Sequence, residues 1–290
     1  MSPRAQRTFP LHQISASHPE ARRYVRARRN AVPRQDRVTA VGGLWAHEFL
    51  LGTDARIEVF FWCPDSAAGD ERTRAAEALR PVQDCVEAVI GKAQVSYQIS
   101  ERTLRRLHPD ASPPAMLSIV RLPAWDDRAL LSSTAGLVLV ADGIEYAGNL
   151  GTLIRTVDAC GAGGLVLTNA VARATHPKVF GASRGTVLTT PVLEYRSVKE
   201  AKQALVEAGF AVYIADPSAV DRYDEVSYDC ARLAFVVGSE GEGVAPAWGE
   251  PGVERVAIPM SGRADSLNVA ASAAILLFAA RAQRSTALCV

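Results

Sequence analysis

The chain has 290 residues, enough to bury a core without disulfide or metal staples, and a length that suits two domains better than one. A formal net charge of +1 argues for no partner, and the five cysteines (Cys63, Cys85, Cys160, Cys230, Cys289) are scattered without a C-x-x-C, which excludes a zinc knuckle or a redox pair. The longest apolar run, around residues 269–280, is too short to span a membrane, and free thiols without a recognisable signal peptide predict a soluble cytoplasmic protein.

Charge is unevenly spread. Residues 1–36 form a basic arm whose polar sequence carries Arg22, Arg23 and Arg26 among many arginines, against Glu20 and Asp36 alone. ARRYVRARRN predicts a short helix after Ser17, with arginine on several faces. Such an arm meets a polyanion, most often nucleic acid, or is simply solvated; its helix cannot bury much by itself and is expected to dock on a neighbour or meet an anion.

Residues 37–120 predict a small α/β domain. RVTAV, ARIEVFFWCP, VSYQIS and AMLSIVRL read as strands; GLWAHEFLLG, a long helix broken at Pro81, and SERTLRRLH lie between them. This alternation favours a layered α/β sandwich. His47 and His108 are single histidines on helices and read as structural or solvated. Residues 121–136, with Pro123 and a run of small polar residues, read as a linker.

From Leu137 the pattern is strand then helix, repeatedly. LVLVAD, GLVLTN, PVLEY, FAVYIAD, ARLAFVVG and VERVAIPM are apolar strands, with helices expected at GNLGTLIRTVDACG, THPKVFGAS, SVKEAKQALVEAG and, last, SLNVAASAAILLFAARAQ. Near-continuous apolar strands separated by helices imply a mainly parallel sheet covered on both faces.

Common chemistries for such a sheet do not fit. No G-x-G-x-x-G follows the first strand and no Walker A sequence occurs. Gly181–Gly185 satisfies G-x-S-x-G, but a helix precedes it where a strand is needed, and no histidine follows His176 to complete a triad. There is no metal-ligand cluster.

What remains is a set of polar residues near glycine-rich loops. Asn149 and Arg155 lie nearly two turns apart on one helix. Glu240 sits in the turn G-S-E-G-E-G, and Ser266 and Asn268 open the last helix, where free N–H groups gather. Caps and turns account for any one of them singly; together they form a pattern.

N-x-G-x-x-x-R at 149–155, G-S-E-G-E-G at 238–243 and I-P-M-x-G-x-x-x-S-L-N-V-A at 258–270 resemble, in order and spacing, the three motifs of the SpoU/TrmH branch of the SPOUT RNA methyltransferases. The resemblance runs from residue 137 onward. More loosely, 37–120 resembles the ribosomal-protein-L30e-like substrate domain often joined to that branch. The resemblance implies a trefoil-knotted α/β domain, one of the few exceptions to unknotted topology. It also implies bound S-adenosylmethionine, a homodimer, and methyl transfer to a ribose 2′-hydroxyl of RNA, with ribosomal RNA favoured over tRNA and no metal required. Base methylation and RNA binding without catalysis are the competing readings.

By the same resemblance, Gly238, Ile258 and Leu267 grip the cofactor, with Ile214 at its adenine wall. Arg155 is the essential arginine, and Asn149, Glu240, Ser266 and Asn268 orient it and the ribose. A guanidinium stays protonated in proteins, so holding the adjacent phosphate and stabilising alkoxide charge suit Arg155 better than a base role. Arg184, in A-S-R-G, resembles an RNA-holding arginine of the antibiotic-resistance members.

Overall fold

A computed structural model describes residues 9–66, 76–111, 115–131, 136–239, 241–249 and 252–287. The chain divides into two units, Met1–Pro123 with Thr175–Pro177, and Ala124–Ala174 with Lys178–Val290.

The first unit is built on strands β1 (His12–Ile14), β2 (Val38–Gly42), β3 (Arg56–Trp62), β4 (Val95–Ile99) and β5 (Met116–Arg121), with helices α1 (Pro19–Arg28), α2 (Leu44–Leu51), α3 (Ala76–Lys92) and α4 (Glu101–Leu107). The sheet order is β1-β4-β3-β5-β2. The β1–β4 and β3–β4 pairs are parallel; β5 runs antiparallel to both β2 and β3. Helix α3 continues through Pro81, because buried Val82, Val86 and Val89 hold its inner face against the loss of one backbone hydrogen bond.

The basic arm, whose helix was expected to dock on a neighbour or meet an anion, is, over its described residues, a layer of this unit; residues 1–8 lie outside the description. β1 extends the sheet, and α1 buries Ala21, Tyr24 and Ala27 in the core. The reason is periodicity: these residues recur at three-residue steps along one face, which leaves Arg22, Arg26 and Arg29 exposed on another. Arg23 turns inward, where it and Arg121 both pair with the buried carboxylate of Glu58. Burial alone would raise Glu58's pKa; the two guanidinium groups outweigh it and hold the carboxyl below its ordinary range.

His47 is fully buried, with Nδ1 donating to the Gly43 carbonyl at 2.7 Å and Nε2 accepting from the Ser118 hydroxyl at 2.9 Å. Burial pushes its pKa down to about 4, so the ring is neutral. His108 meets the Tyr24 hydroxyl at 2.8 Å. Both histidines are structural.

The second unit begins with the short helix α5 (Asp127–Leu131), within the stretch expected to be a linker. Its Leu130 is fully buried in the core of this unit, which makes the segment part of the fold; residues 132–135 lie outside the description. Then follow β6 (Leu137–Asp142), α6 (Ala147–Cys160), β7 (Gly164–Thr168), α7 (Pro177–Ala182), β8 (Val192–Glu194), α8 (Val198–Glu207), β9 (Ala211–Ala215), β10 (Leu233–Val237), β11 (Val253–Val256) and α9 (Val269–Ala287). The six strands are parallel throughout, in the order β11-β9-β10-β6-β7-β8.

Alternation along the strands divides the core. Val138, Val140, Val212, Ile214, Ala234 and Val236 pack with Val198, Ala201 and Leu205 of α8. Helices α6 and α9 pack on each other, with α6 also against β7 and α9 against β6 and β10. Gly161, at φ 66°, ends α6 in a left-handed turn that few other residues adopt. From α9, Arg281 donates to the Gly161 carbonyl and Arg284 to those of Gly136 and Ala231. No described helix is long and apolar enough to cross a membrane.

Candidate active site

In a parallel sheet, ligand sites form beyond the carboxyl ends of the strands, where the strand order reverses direction. Here β11, β9 and β10 end side by side, and the loops that leave them, with the start of α9, line a cleft of about 820 Å³, open solvent included. Its walls are Ala215–Pro217 after β9, Val237–Ser239 and Gly243 after β10, Val256, Ile258 and Met260 at β11, and Ser266, Leu267, Val269 and Ser272 at the start of α9.

Three of the four residues expected to hold a cofactor, Gly238, Ile258 and Leu267, therefore line one cleft. Gly238 is there because the backbone doubles back on it. A Cβ at this position would collide with Gly243 and with the Val244 nitrogen, and Ser239 and Gly243 exchange a pair of 3.1 Å backbone hydrogen bonds. Ile214 is not in the wall. Its side chain belongs to the core facing α8, and the cleft begins one residue later, at Ala215.

Asp216 is a cleft residue that sequence reasoning missed, although its position just past a strand's carboxyl end was a signal. It accepts from the Ser218 backbone at 2.9 Å and the Ser218 hydroxyl at 2.6 Å, and it pairs with Arg255. The Ser218 hydrogen bonds, aided by Arg255, hold its carboxyl below the ordinary range.

The glycine-rich loop is anchored from β6. Asp142, almost fully buried, accepts through Oδ1 from the Thr168 hydroxyl and the Asn169 amide, and through Oδ2 from the Ala245 backbone, all at 2.8 Å. One carboxylate thus ties the ends of β6 and β7 to the loop after β10.

The residues expected to act on substrate are brought together in part. Asn268 Nδ2 donates to Asn149 Oδ1 at 3.3 Å, which joins the first and third motifs. Helix α9 starts at Val269, so Asn268 is its cap, with Oδ1 accepting from the Ala270 N–H at 3.0 Å. Ser266 lies outside the helix, in the preceding exposed loop, on the wall of the cleft. Arg155 is exposed on α6 and forms no ion pair among the described residues. Glu240 lies outside the described residues.

The motif glycine Gly151 serves packing. A Cβ there would sit 2.6 Å from Ala182 Cβ and 2.8 Å from the Val179 carbonyl, so the lack of a side chain lets α6 and α7 approach. Ser183 of the G-x-S-x-G sequence is fully buried and donates to the Phe180 carbonyl at 3.2 Å, which rules it out as a nucleophile. Its neighbour Arg184 is exposed in a left-handed turn at φ 55°.

Comparison with known proteins points the same way. The sequence model described as the SpoU rRNA Methylase family matches residues 136–278. The chain is 32% identical over 182 residues to the 23S rRNA (guanosine(2553)-2′-O)-methyltransferase RlmP of Bacillus subtilis, covering 63% of this chain and 71% of that protein. It is also 32% identical, over 165 residues, to the 23S rRNA (adenosine(1067)-2′-O)-methyltransferase of Streptomyces laurentii, covering 57% of this chain and 61% of that one. Among solved structures, an AdoMet-bound rRNA methyltransferase from Sinorhizobium meliloti superposes with a TM-score of 0.78 over 93% of this chain and 97% of its own, at 20% identity, a likeness of fold. An RNA 2′-O ribose methyltransferase superposes with a TM-score of 0.72 over 95% of this chain and 100% of its own, at 26% identity.

Proposed function

The chain belongs to the SpoU rRNA methylase family, and on that footing we propose that it methylates a ribose 2′-hydroxyl of ribosomal RNA with S-adenosylmethionine as donor. The observation that carries the reading is the Asn268–Asn149 hydrogen bond. It sets the polar ends of two motifs beside a cleft whose walls hold Gly238, Ile258 and Leu267.

The cleft suits the cofactor. Apolar Val237, Ile258 and Leu267 offer a surface for adenine, the loop at Gly238 admits close backbone contact, and the Asp216 carboxylate can accept from a ribose hydroxyl or face a cation. S-adenosylmethionine, when bound, supplies an electrophilic methyl group on a sulfonium. The chain's own groups act on the RNA side. Arg155 holds a phosphate and offsets negative charge as the hydroxyl oxygen gives its proton to solvent and takes the methyl group. Asn149 and Asn268 fix the ribose, and Ser266 and Glu240 complete this end of the site.

The proposal extends to a cytoplasmic homodimer with a trefoil-knotted second unit. Exposed Arg22, Arg26 and Arg184 are assigned to RNA phosphates; Arg23, paired with Glu58, is assigned to the fold. Incubating unmodified ribosomal RNA transcripts with methyl-labelled cofactor tests the reaction. The labelled linkage should resist alkali, because a 2′-O-methyl group removes the oxygen that attacks the phosphate. Label in alkali-sensitive nucleotides would mean base methylation, and no label in any RNA would leave an RNA-binding protein.

A further inference from the structure

Beside the cofactor cleft lies a second hollow, where residues of the three motifs meet Ile144, Glu145 and Tyr146, which belong to none of them. Ile144, Glu145, Tyr146, Asn149, Gly241 and Val269 line it with Ser239; Val269 and Ser239 also line the cleft, so the two spaces share a wall. Tyr146 precedes the first turn of α6 in an extended conformation, and its side chain makes no capping hydrogen bond. The residue is 62% exposed, unusual for an aromatic with nothing to solvate but one hydroxyl, and it lines a hollow that Asn149 also lines.

We infer that this hollow takes the base of the nucleotide being methylated, with Tyr146 as its stacking face and Glu145 as the group that reads its edge, and that the base is guanine. The inference rests on the ribose-methyltransferase reading above. An unpaired RNA base is held by stacking on an exposed aromatic ring and by hydrogen bonds to its Watson–Crick edge. The placement is consistent with the chemistry: a ribose held at Asn149 carries its base a few ångströms away, within the same hollow. The choice of base follows from Glu145, which is exposed and also lines the hollow. A carboxylate facing RNA is repelled by phosphates, so it needs a donor. Guanine offers two adjacent donors, N1–H and the N2 amino group, to match two carboxylate oxygens. Adenine and cytosine each place a ring-nitrogen acceptor beside their amino group, and uracil flanks its single N–H with two carbonyls, so all three set an acceptor against the carboxylate.

The test uses the full-length protein, unmodified 16S and 23S rRNA transcripts and methyl-labelled S-adenosylmethionine, with the product digested to nucleosides. The expected labelled product is 2′-O-methylguanosine. Tyr146→Ala should lower kcat/KM for RNA by about tenfold to a hundredfold, the worth of one base–aromatic stack, while cofactor affinity by calorimetry stays within about twofold, well below the tenfold that 1.4 kcal/mol represents. Tyr146→Phe, which keeps the ring, should restore most of the loss, and Glu145→Gln should reduce methylation by about tenfold through loss of one matched oxygen. Label in 2′-O-methyladenosine, -uridine or -cytidine overturns the inference and leaves the reaction standing. So does an unimpaired Tyr146→Ala, a matching loss of cofactor affinity, or dissociation of an oligomer by that variant, which would assign the ring to a protein interface. Absence of ribose methylation by the wild-type protein overturns the underlying reading, and the inference with it.

Discussion

Asn268 and Asn149, 119 residues apart in the chain, share a hydrogen bond at 3.3 Å, and the same Asn268 side chain caps α9 through the Ala270 N–H. One amide group therefore does two jobs that substitution can separate. Its oxygen starts the helix and its nitrogen meets the first motif.

Asn268→Asp keeps a capping oxygen and loses the donor toward Asn149. It should fold with nearly wild-type stability and lose methyl transfer by about a hundredfold, the scale of one misplaced polar group at a reacting centre. Asn268→Ala should lose activity and also about 1 kcal/mol of stability with the cap. Urea denaturation beside a labelled-methyl assay separates the two; equal stability loss in both variants would refute the division of labour.

Arg155→Ala should abolish detectable transfer, by about a hundredfold to a thousandfold if the guanidinium offsets developing charge, while cofactor affinity is unchanged. Arg155→Lys keeps the charge without the bidentate fork and should recover only part of the rate. A large fall in cofactor affinity for Arg155→Ala would move this side chain from the RNA to the cofactor.

Gly238→Ala forces a methyl group into the backbone of Gly243 and Val244 and must displace the loop. The expected result is a cofactor Kd raised by about tenfold or more, since strain of 1–3 kcal/mol spans that factor. The circular dichroism of the fold should be retained, because the sheet ends before the loop. Unchanged affinity would show that this loop does not form the cofactor wall.

His47 sets a pH dependence for the first unit. Its folded pKa is pushed to about 4 by burial, while an unfolded histidine titrates near about 6.5. Between these values the unfolded chain binds a proton that the folded chain does not, so stability rises with pH across the window and is lost as pH falls through it, by up to about 3 kcal/mol. Hydrogen exchange of peptides across residues 38–62 should accelerate between pH 6.5 and pH 4 relative to intrinsic rates, and His47→Gln should flatten that response. The same slope in the variant would place the effect on another group.

Much of the site was legible because its motifs are local. Gly238, Ile258 and Leu267 were assigned by their match to the family motifs, and they meet because each lies at the end of an apolar strand or before an apolar helix, where the cleft forms. Ile214 misled for the same reason. It is one residue short of the strand's end, and alternation turns its side chain into the core. Asp216 carries no motif, and its carboxylate acquires meaning only from Ser218 and Arg255, the latter far along the chain.

Sequence alone determined the alternation of strands and helices, the parallel second sheet, the family motifs and the exclusion of nucleotide-phosphate and serine-hydrolase chemistry, all properties carried by short-range patterns. Tertiary structure decided which polar groups meet. It turned the basic N-terminal segment into a layer of the first unit by burying Tyr24, drew Arg23 inward to Glu58, and set Asn268 against Asn149. It also left Tyr146 exposed at the edge of a hollow. These outcomes depend on where distant segments come to rest, because a side chain's charge, burial and partner are fixed by packing across the sheet and by no spacing along the chain.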